Sequence, residues 1–226
     1  MQAKYIPLFI IYTFILPSLL KGGDESSAQI IGFSGDGRAV AFSISGVFDG
    51  SGFPYCQIIL IDVPENKLIG NPVSVVIEEC DVAPESACMR ARQQADSLLK
   101  CAKIIEGNNG IKLRLKPAGK RNLHEEKFIF TVEGKQYMLH LVECPVEKRV
   151  DDEFERYIFT LTLSKEGQEI ILHHDEELPA DRGLAFHYCI ESAYLYNNYI
   201  VVVIAVFTPG FEGTDIRQII VSGRLL

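Results

Sequence analysis

The sequence lacks the short motifs by which nucleotide, zinc and serine-hydrolase sites are most readily recognised. Its 226 residues contain no GxxxxGK[ST] loop for phosphate and no GxGxxG turn before a helix. HExxH and CxxC pairs, which arrange zinc ligands, are missing as well, and so is the GxSxG turn that presents a nucleophilic serine. We therefore predict no cofactor, and we assign neither a catalytic residue nor a metal ligand.

Linker-like segments are also missing, because no Pro/Ser-rich stretch, charge block or low-complexity run divides the chain. Hydrophobic residues make up 47% of the sequence and charged residues 23%, which is typical of globular proteins. The sequence therefore predicts one folded domain, spanning residues 23–226, that can bury a hydrophobic core.

The N-terminus has the pattern of an export signal. Lys4 precedes the uncharged apolar stretch Tyr5–Leu20, and Lys21 and Gly22 end it. We predict a signal peptide over residues 1–22, with cleavage near Gly22 or after Ala28; an uncleaved membrane anchor is the alternative. No later apolar stretch is long enough to span a bilayer as a helix, so we expect a periplasmic or secreted protein without a membrane span in the mature chain.

A concentration of positive charge is missing too. The net charge is −8 at pH 7, and the most basic segment, between Lys112 and Arg121, has no interleaved aromatic residues. A negatively charged surface repels a phosphate backbone. We therefore predict no nucleic-acid partner.

Six cysteines follow the apolar leader, and an even number in an exported chain permits disulfides. Six cysteines allow 15 connectivities, and the sequence does not choose among them. Cys88 and Cys101 lie on a predicted helix about 20 Å apart, so they should not pair with each other. Buried free thiols are the alternative for several of these residues.

From Gln29 onward, short β-branched and aromatic runs repeatedly flank turn residues, which is typical of β-hairpins. The turns centre near residues 36, 65, 133, 166 and 197. At the first turn, Asp36 and Gly37 suggest a type I′ geometry, which needs positive φ at both positions. The expected fold is mainly antiparallel β, a hairpin meander that forms a barrel, a sandwich or a propeller-like structure.

One hairpin of this series is replaced by a helical pattern. Small and apolar residues recur at spacings of three and four over residues 84–106, from Pro84 at the first helical position to Gly107 as the C-terminal cap. This stripe is rich in alanine and lacks large anchors. We predict one amphipathic helix that covers a face of the sheet.

The segment GFSGDGRAVAF at residues 32–42 resembles the strand-turn-strand signature of periplasmic β-propeller blades. Taken with DGSGFPY at 49–55, the following strand, the helix and GFEGTDIRQIIV near the C-terminus, it resembles a bacterial family of predicted secreted proteins of unknown function. The chain departs from that family's pattern at Gly35, Cys56 and Thr214, where Pro, Ser and Pro are usual. The resemblance implies export and a β architecture, and no established activity.

The two most distinctive stretches define the candidate surface of a non-enzymatic binding or assembly module, whose partner is an envelope protein. Aromatic anchors and charged contacts from these loops and the first turn make up the predicted binding residues, which are Arg38, Asp49, Phe53, Tyr55, Phe211, Glu212, Asp215 and Arg217. In a purely structural alternative, the aromatic residues fill the core and Asp215 pairs with an arginine. Oxygen atoms in these loops could also hold calcium, although neither loop has EF-hand spacing.

The competing hypothesis is an envelope hydrolase whose site is assembled from dispersed carboxylates and a histidine, His187 or His140. A cleft that brings two carboxylates and a histidine together would favour the hydrolase. A flat apolar patch would favour binding.

Overall fold

The structure is a computed structural model that describes residues 23–79, 82–118, 123–146, 155–211 and 213–226. The predicted signal peptide, Cys80, the Lys120–Arg121 end of the basic segment and the predicted binding residue Glu212 lie outside the described residues. None of the helices in the described part of the chain is long and apolar enough to cross a membrane.

The first half of the described chain forms a five-stranded sheet followed by one helix. The order in the sheet is β1-β2-β3-β4, with β5 also paired to β3, and every pairing is antiparallel. We call it the helix-covered sheet. The elements are β1 (Ser27–Phe33), β2 (Ala39–Val47), β3 (Pro54–Asp62), β4 (Lys67–Leu68), β5 (Val73–Val76) and α1 (Pro84–Cys101).

The second half of the chain forms two further antiparallel sheets. The outer sheet has the order β11-β10-β9-β8-β7, and the central sheet has the order β14-β13-β12-β6. The strands are β6 (Ile111–Lys112), β7 (Lys116–Pro117), β8 (Glu125–Val132), β9 (Lys135–Pro145), β10 (Tyr157–Lys165), β11 (Gln168–His174), β12 (His187–Tyr196), β13 (Tyr199–Pro209) and β14 (Thr214–Arg224), and a 3₁₀ turn spans Ala180–Arg182.

The central sheet is buried on both faces, as its longest apolar strand shows. Along β13, Ile200 and Val202 belong to the core shared with the outer sheet, whereas Val201 and Val203 belong to the core shared with the helix-covered sheet. Alternate residues of a strand point to opposite faces, so this strand supplies two cores at once. A continuous apolar run is typical of a strand buried on both faces.

A third core lies between the helix-covered sheet and α1. Ile58 and Leu60 of β3 pack against small residues of the helix, Ala87, Ala91 and Ala95, all of which are buried. The small side chains let the helix approach the sheet closely. A disulfide between Cys56 and Cys88 joins β3 to the same helix face, so the helix covers the sheet as predicted.

The layers therefore follow the order helix, helix-covered sheet, central sheet, outer sheet. The prediction of a mainly antiparallel β protein with one helix is confirmed. In the described residues none of the three sheets closes on itself, so the stacked arrangement of the sandwich alternative is the one observed.

The predicted turns connect the strands, with one difference in geometry. Asn66, Glu133, Glu166 and Asn197 have φ between 48° and 52°, as tight hairpin turns require. At the first turn only Gly37 is in the left-handed region, with φ 76°. The Ser34 hydroxyl donates to the Asp36 carboxylate. The carboxylate also accepts the Arg38 amide, and the hydroxyl accepts the Ala39 amide. These bonds stabilise a turn in which Asp36 does not take positive φ.

The helix ends earlier than the predicted boundary at residue 106. The amides of Lys103 and Ile104 donate to the carbonyls of Lys100 and Leu99, which is the paired bonding of a Schellman cap. Lys103 takes the left-handed conformation, with φ 54°. The chain then pairs Ile104 with Ser34, beside β1. Gly107 thus lies in a loop beyond the true cap.

Candidate binding site

A cavity of about 250 Å³ lies where the helix-covered sheet meets the edge of β14. Two of the predicted binding residues, Tyr55 and Arg217, line it. Strands β3, β5 and β14 supply most of the other walls. The lining residues are Asp24, Ser26, Ile44, Phe48, Tyr55, Cys56, Gln57, Ser74, Val75, Val76, Arg217 and Gln218.

The polar end of the cavity contains an acid, a phenol and a guanidinium. Asp24 is 4% exposed, and the Tyr55 hydroxyl donates to its Oδ1 at 3.3 Å. Burial raises the pKa of Asp24 above its usual value, although the charge of Arg217 and the Tyr55 hydrogen bond oppose that shift. Burial and the Asp24 charge raise the pKa of Tyr55 to about 12. Tyr55 therefore remains a neutral hydrogen-bond donor at physiological pH.

The remaining wall is apolar and partly open. The ring of Phe48 stacks on Tyr55 with centroids 4.4 Å apart, which fixes the phenol at the cavity wall. Val75 and Val76 of β5 both line the cavity, and the Val76 residue is 45% exposed. Apolar walls with a few convergent polar groups are typical of ligand sites.

Two further predicted residues, Asp49 and Asp215, hold the chain that leads into this site. The Asp49 carboxylate accepts the Gly23 amide at 3.2 Å, and the Asp215 carboxylate accepts the Asp24 amide at 2.8 Å. Asp215 thus holds this chain segment through a backbone amide, whereas the structural alternative expected an arginine partner. The two loops meet at the start of the described chain.

The aromatic residues of the predicted set are placed differently from one another. Phe211 is 92% exposed at the turn between β13 and β14, so it is available to a partner. Phe53 is half-buried, and its carbonyl accepts the Phe48 amide within the loop before β3. Phe53 therefore helps to hold that loop.

Arg38 is not brought together with the other predicted residues. It lies at the β1–β2 turn, where neighbouring Gly37 approaches Tyr196, Asn197 and Tyr199. The Asp215 loop is at the opposite end of β13, because Tyr199 pairs with Arg224 and Pro209 pairs with Thr214. Both stretches are at hairpin turns, and the sequence gives no indication that they point to opposite ends of the stack.

The structure also brings together a cluster that sequence reasoning did not find. The Glu143 side chain is fully buried on β9. Its Oε2 lies 2.7 Å from His124 Nδ1, its Oε1 lies 2.7 Å from His187 Nδ1, and the Tyr188 amide donates to Oε1. Since His187 and Tyr188 begin β12, this carboxylate joins the outer sheet to the central sheet.

The histidines proposed for a hydrolase therefore occupy different places. His187 belongs to the buried Glu143 cluster, whereas His140 bonds Glu125 at 2.8 Å between β9 and β8. Both Glu143 oxygens are occupied by protein groups, which is the arrangement of a carboxylate that holds two sheets together. The sequence does contain a signal for this cluster. Glu143 occupies one of the alternating inward-facing positions of β9, and the others are apolar.

Comparison with known proteins gives a family and no closer relative. The family model described as "Predicted secreted protein (DUF2259)" matches residues 41–224. The match spans α1, most of the helix-covered sheet and all the strands of the other two sheets. No curated protein and no solved structure matches the chain.

Proposed function

The chain belongs to this family of predicted secreted proteins, and from that premise we propose that it is a non-enzymatic binding module of the cell envelope. Its site is the cavity at β3, β5 and β14, extended by the exposed loop that carries Phe211. The observation that carries the proposal is the combination of apolar walls with Tyr55, Asp24 and Arg217 at one end. That combination favours recognition of a partner over chemistry, since no nucleophile and base are paired there.

The proposed partner is an extended segment of an envelope protein. No other described strand pairs with the outer edge of β5, whose residues Ser74 and Val76 are exposed. A free edge of this kind accepts an added strand through main-chain hydrogen bonds, while neighbouring pockets select side chains. An apolar side chain of the partner would enter the cavity beside Val75.

Arg217 and Phe211 would supply two further contacts with the partner. Arg217 is exposed at the cavity mouth, so an acidic side chain of the partner would pair with it. Phe211 offers a large apolar surface that is almost entirely in water, and aromatic side chains and arginines often dominate binding energy. The proposed segment is therefore apolar and acidic.

The decisive experiment places a photo-crosslinking amino acid at Val76 in the exported protein and identifies the cross-linked peptide by mass spectrometry. We expect one dominant partner segment. Arg217→Ala and Phe211→Ala should each lower its recovery about ten-fold, because each removes a contact of hot-spot type from the surface. Phe211→Ala should change folding stability by less than about 0.5 kcal/mol, since the side chain is exposed. Because the Arg217 charge also acts on the buried Asp24, circular dichroism must show that Arg217→Ala is folded.

Matched controls come from the helix, none of whose residues lines the cavity. Arg90→Ala removes an exposed arginine and Met89→Ala removes an exposed apolar side chain. Both should leave cross-linking unchanged. If all four variants recover the same peptide equally, or if only small molecules occupy the cavity in native mass spectrometry, the proposal of a protein-binding site is wrong.

A further inference from the structure

Residues 111–117 form an extended segment that passes from the central sheet to the outer sheet. At its start, β6 pairs with β12, and the Leu113 amide donates to the Ala193 carbonyl at 2.8 Å. At its end, β7 pairs with β8. The backbone of the segment is therefore held at both ends, by two different sheets.

Side chains alternate along this segment between the core and solvent. Leu113 and Leu115 are partly buried and pack against the core between the central and outer sheets, whereas Lys112, Arg114 and Lys116 are exposed. Alternate residues of an extended chain lie on the same face, about 7 Å apart. Three cations thus form a row on a protein whose net charge is −8.

The three cations differ in their partners. The Lys112 ammonium lies 5.9 Å from the centre of the Tyr194 ring, and its charge also acts on Glu191. Arg114 and Lys116 have no ion pair within the part of the chain that the structure describes. Two neighbouring cations repel each other, and an anion placed between them would replace that repulsion with attraction.

A cavity of about 260 Å³ lies beside these two cations, between the segment and the hairpin of β8 and β9. Thr131 and Gln136, which face each other across that hairpin, line it together with Arg114 and Lys116. A hydroxyl and a side-chain amide can both donate hydrogen bonds. The other described lining residues are apolar, and none of them carries a carboxylate. The cavity therefore combines two positive charges with two neutral donors.

We propose that this cavity binds one phosphate group of an envelope molecule. The planar guanidinium of Arg114 would make paired hydrogen bonds to two phosphate oxygens, and Lys116 would add a second charge. Thr131 and Gln136 would donate to the remaining oxygens. The phosphate belongs either to an anionic lipid head group or to a free phosphate compound, since both carry the same negatively charged oxygens.

This phosphate site is separate from the cavity at β3, β5 and β14, because the two have no lining residue in common. It is also smaller than the basic stripe that a nucleic acid needs. Its failure would therefore leave the proposed protein-binding site untouched.

The first test titrates the full ¹⁵N-labelled chain with sodium phosphate at constant ionic strength and follows the backbone amide signals by NMR. We expect saturable shifts at the residues that line the cavity. Arg114→Gln and Lys116→Gln should each weaken phosphate affinity about ten-fold, because each removes a charge-assisted hydrogen bond. Arg90→Gln, which removes an exposed arginine from α1, should leave the affinity unchanged.

Two conservative variants separate a built site from simple attraction of charge. Arg114→Lys keeps the charge but loses the paired hydrogen bonds, so it should restore only part of the affinity that Arg114→Gln loses. Thr131→Val keeps the shape and should weaken affinity about three-fold by loss of one neutral hydrogen bond. Shifts that do not saturate, or unchanged affinity in Arg114→Gln, would overturn the proposal.

The second test identifies the source of the phosphate by co-sedimentation with vesicles of phosphatidylcholine, with and without phosphatidylglycerol. Binding to the anionic vesicles that is lost in Arg114→Gln assigns the phosphate to a lipid head group. Saturable phosphate shifts without co-sedimentation assign it to a free phosphate compound. Co-sedimentation without the phosphate shifts would mean that the basic row is attracted only to a charged surface, and the cavity would not be the site.

Discussion

Glu143→Ala is expected to lower the free energy of unfolding by about 3 kcal/mol. A buried donor that loses its acceptor typically costs about 1–3 kcal/mol, and more where the partner is charged. The buried Tyr188 amide loses its acceptor in this variant. The His124 and His187 ring nitrogens, whose side chains are 37% and 24% exposed, each lose a carboxylate oxygen 2.7 Å away. Urea unfolding followed by far-ultraviolet circular dichroism measures the loss.

Two comparisons separate this cause from a simple loss of side-chain volume. Glu143→Gln keeps the size and one acceptor oxygen, so its destabilisation should be much smaller than that of the alanine variant. Glu125→Ala removes a carboxylate that also bonds a histidine, His140, but in a more exposed place. It should have little effect. Equal losses for Glu143→Ala and Glu125→Ala would contradict a sheet-joining role for Glu143.

The hairpins were predictable because their signals are local. Glu133-Gly134 and Glu166-Gly167 each join apolar runs, and in both pairs the backbone has positive φ at the two positions. The helix start at Pro84 was predictable for the same reason. The helix end was not, because Lys103 takes a left-handed conformation that sequence patterns assign to glycine.

The stacking order depends on contacts between residues far apart in the chain. The apolar run of β13 indicates burial on both faces, yet it does not say which sheet lies on each side. The same limit applies to the candidate site. Tyr55 and Arg217 were predicted as one surface, whereas Asp24 was missed because its partner Asp215 is 191 residues away.

Asp175→Ala is expected to lower the free energy of unfolding by about 3–5 kcal/mol, because it leaves a buried arginine without its counterion. The Arg182 and Asp175 side chains are 9% and 3% exposed and form an ion pair. Asp175 also bonds His173 Nε2 at 2.8 Å and the Phe159 amide at 3.2 Å. The guanidinium group lies 5.0 Å from the centre of the Phe159 ring. Chemical denaturation at pH 7 measures the loss.

The same residue should make stability depend on pH in a defined direction. Burial alone would raise the pKa of Asp175, but the hydrogen bonds from His173, Arg182 and the Phe159 amide outweigh burial and lower it. A carboxyl with a lowered pKa stabilises the fold above its unfolded value of 3.8, and that stabilisation is lost as pH falls through the folded value. Asp175→Asn should remove this part of the acid sensitivity.

A double variant distinguishes the unpaired charge from a general loss of packing. In Asp175→Leu, Arg182→Met the buried charges are replaced together, and such replacements are often neutral or stabilising. We expect the double variant to recover most of the stability that Asp175→Ala loses. If it is as unstable as the single variant, the loss comes from the hydrogen bonds to His173 and Phe159. The ion pair would then contribute little to holding the turn at residues 180–182 against the outer sheet.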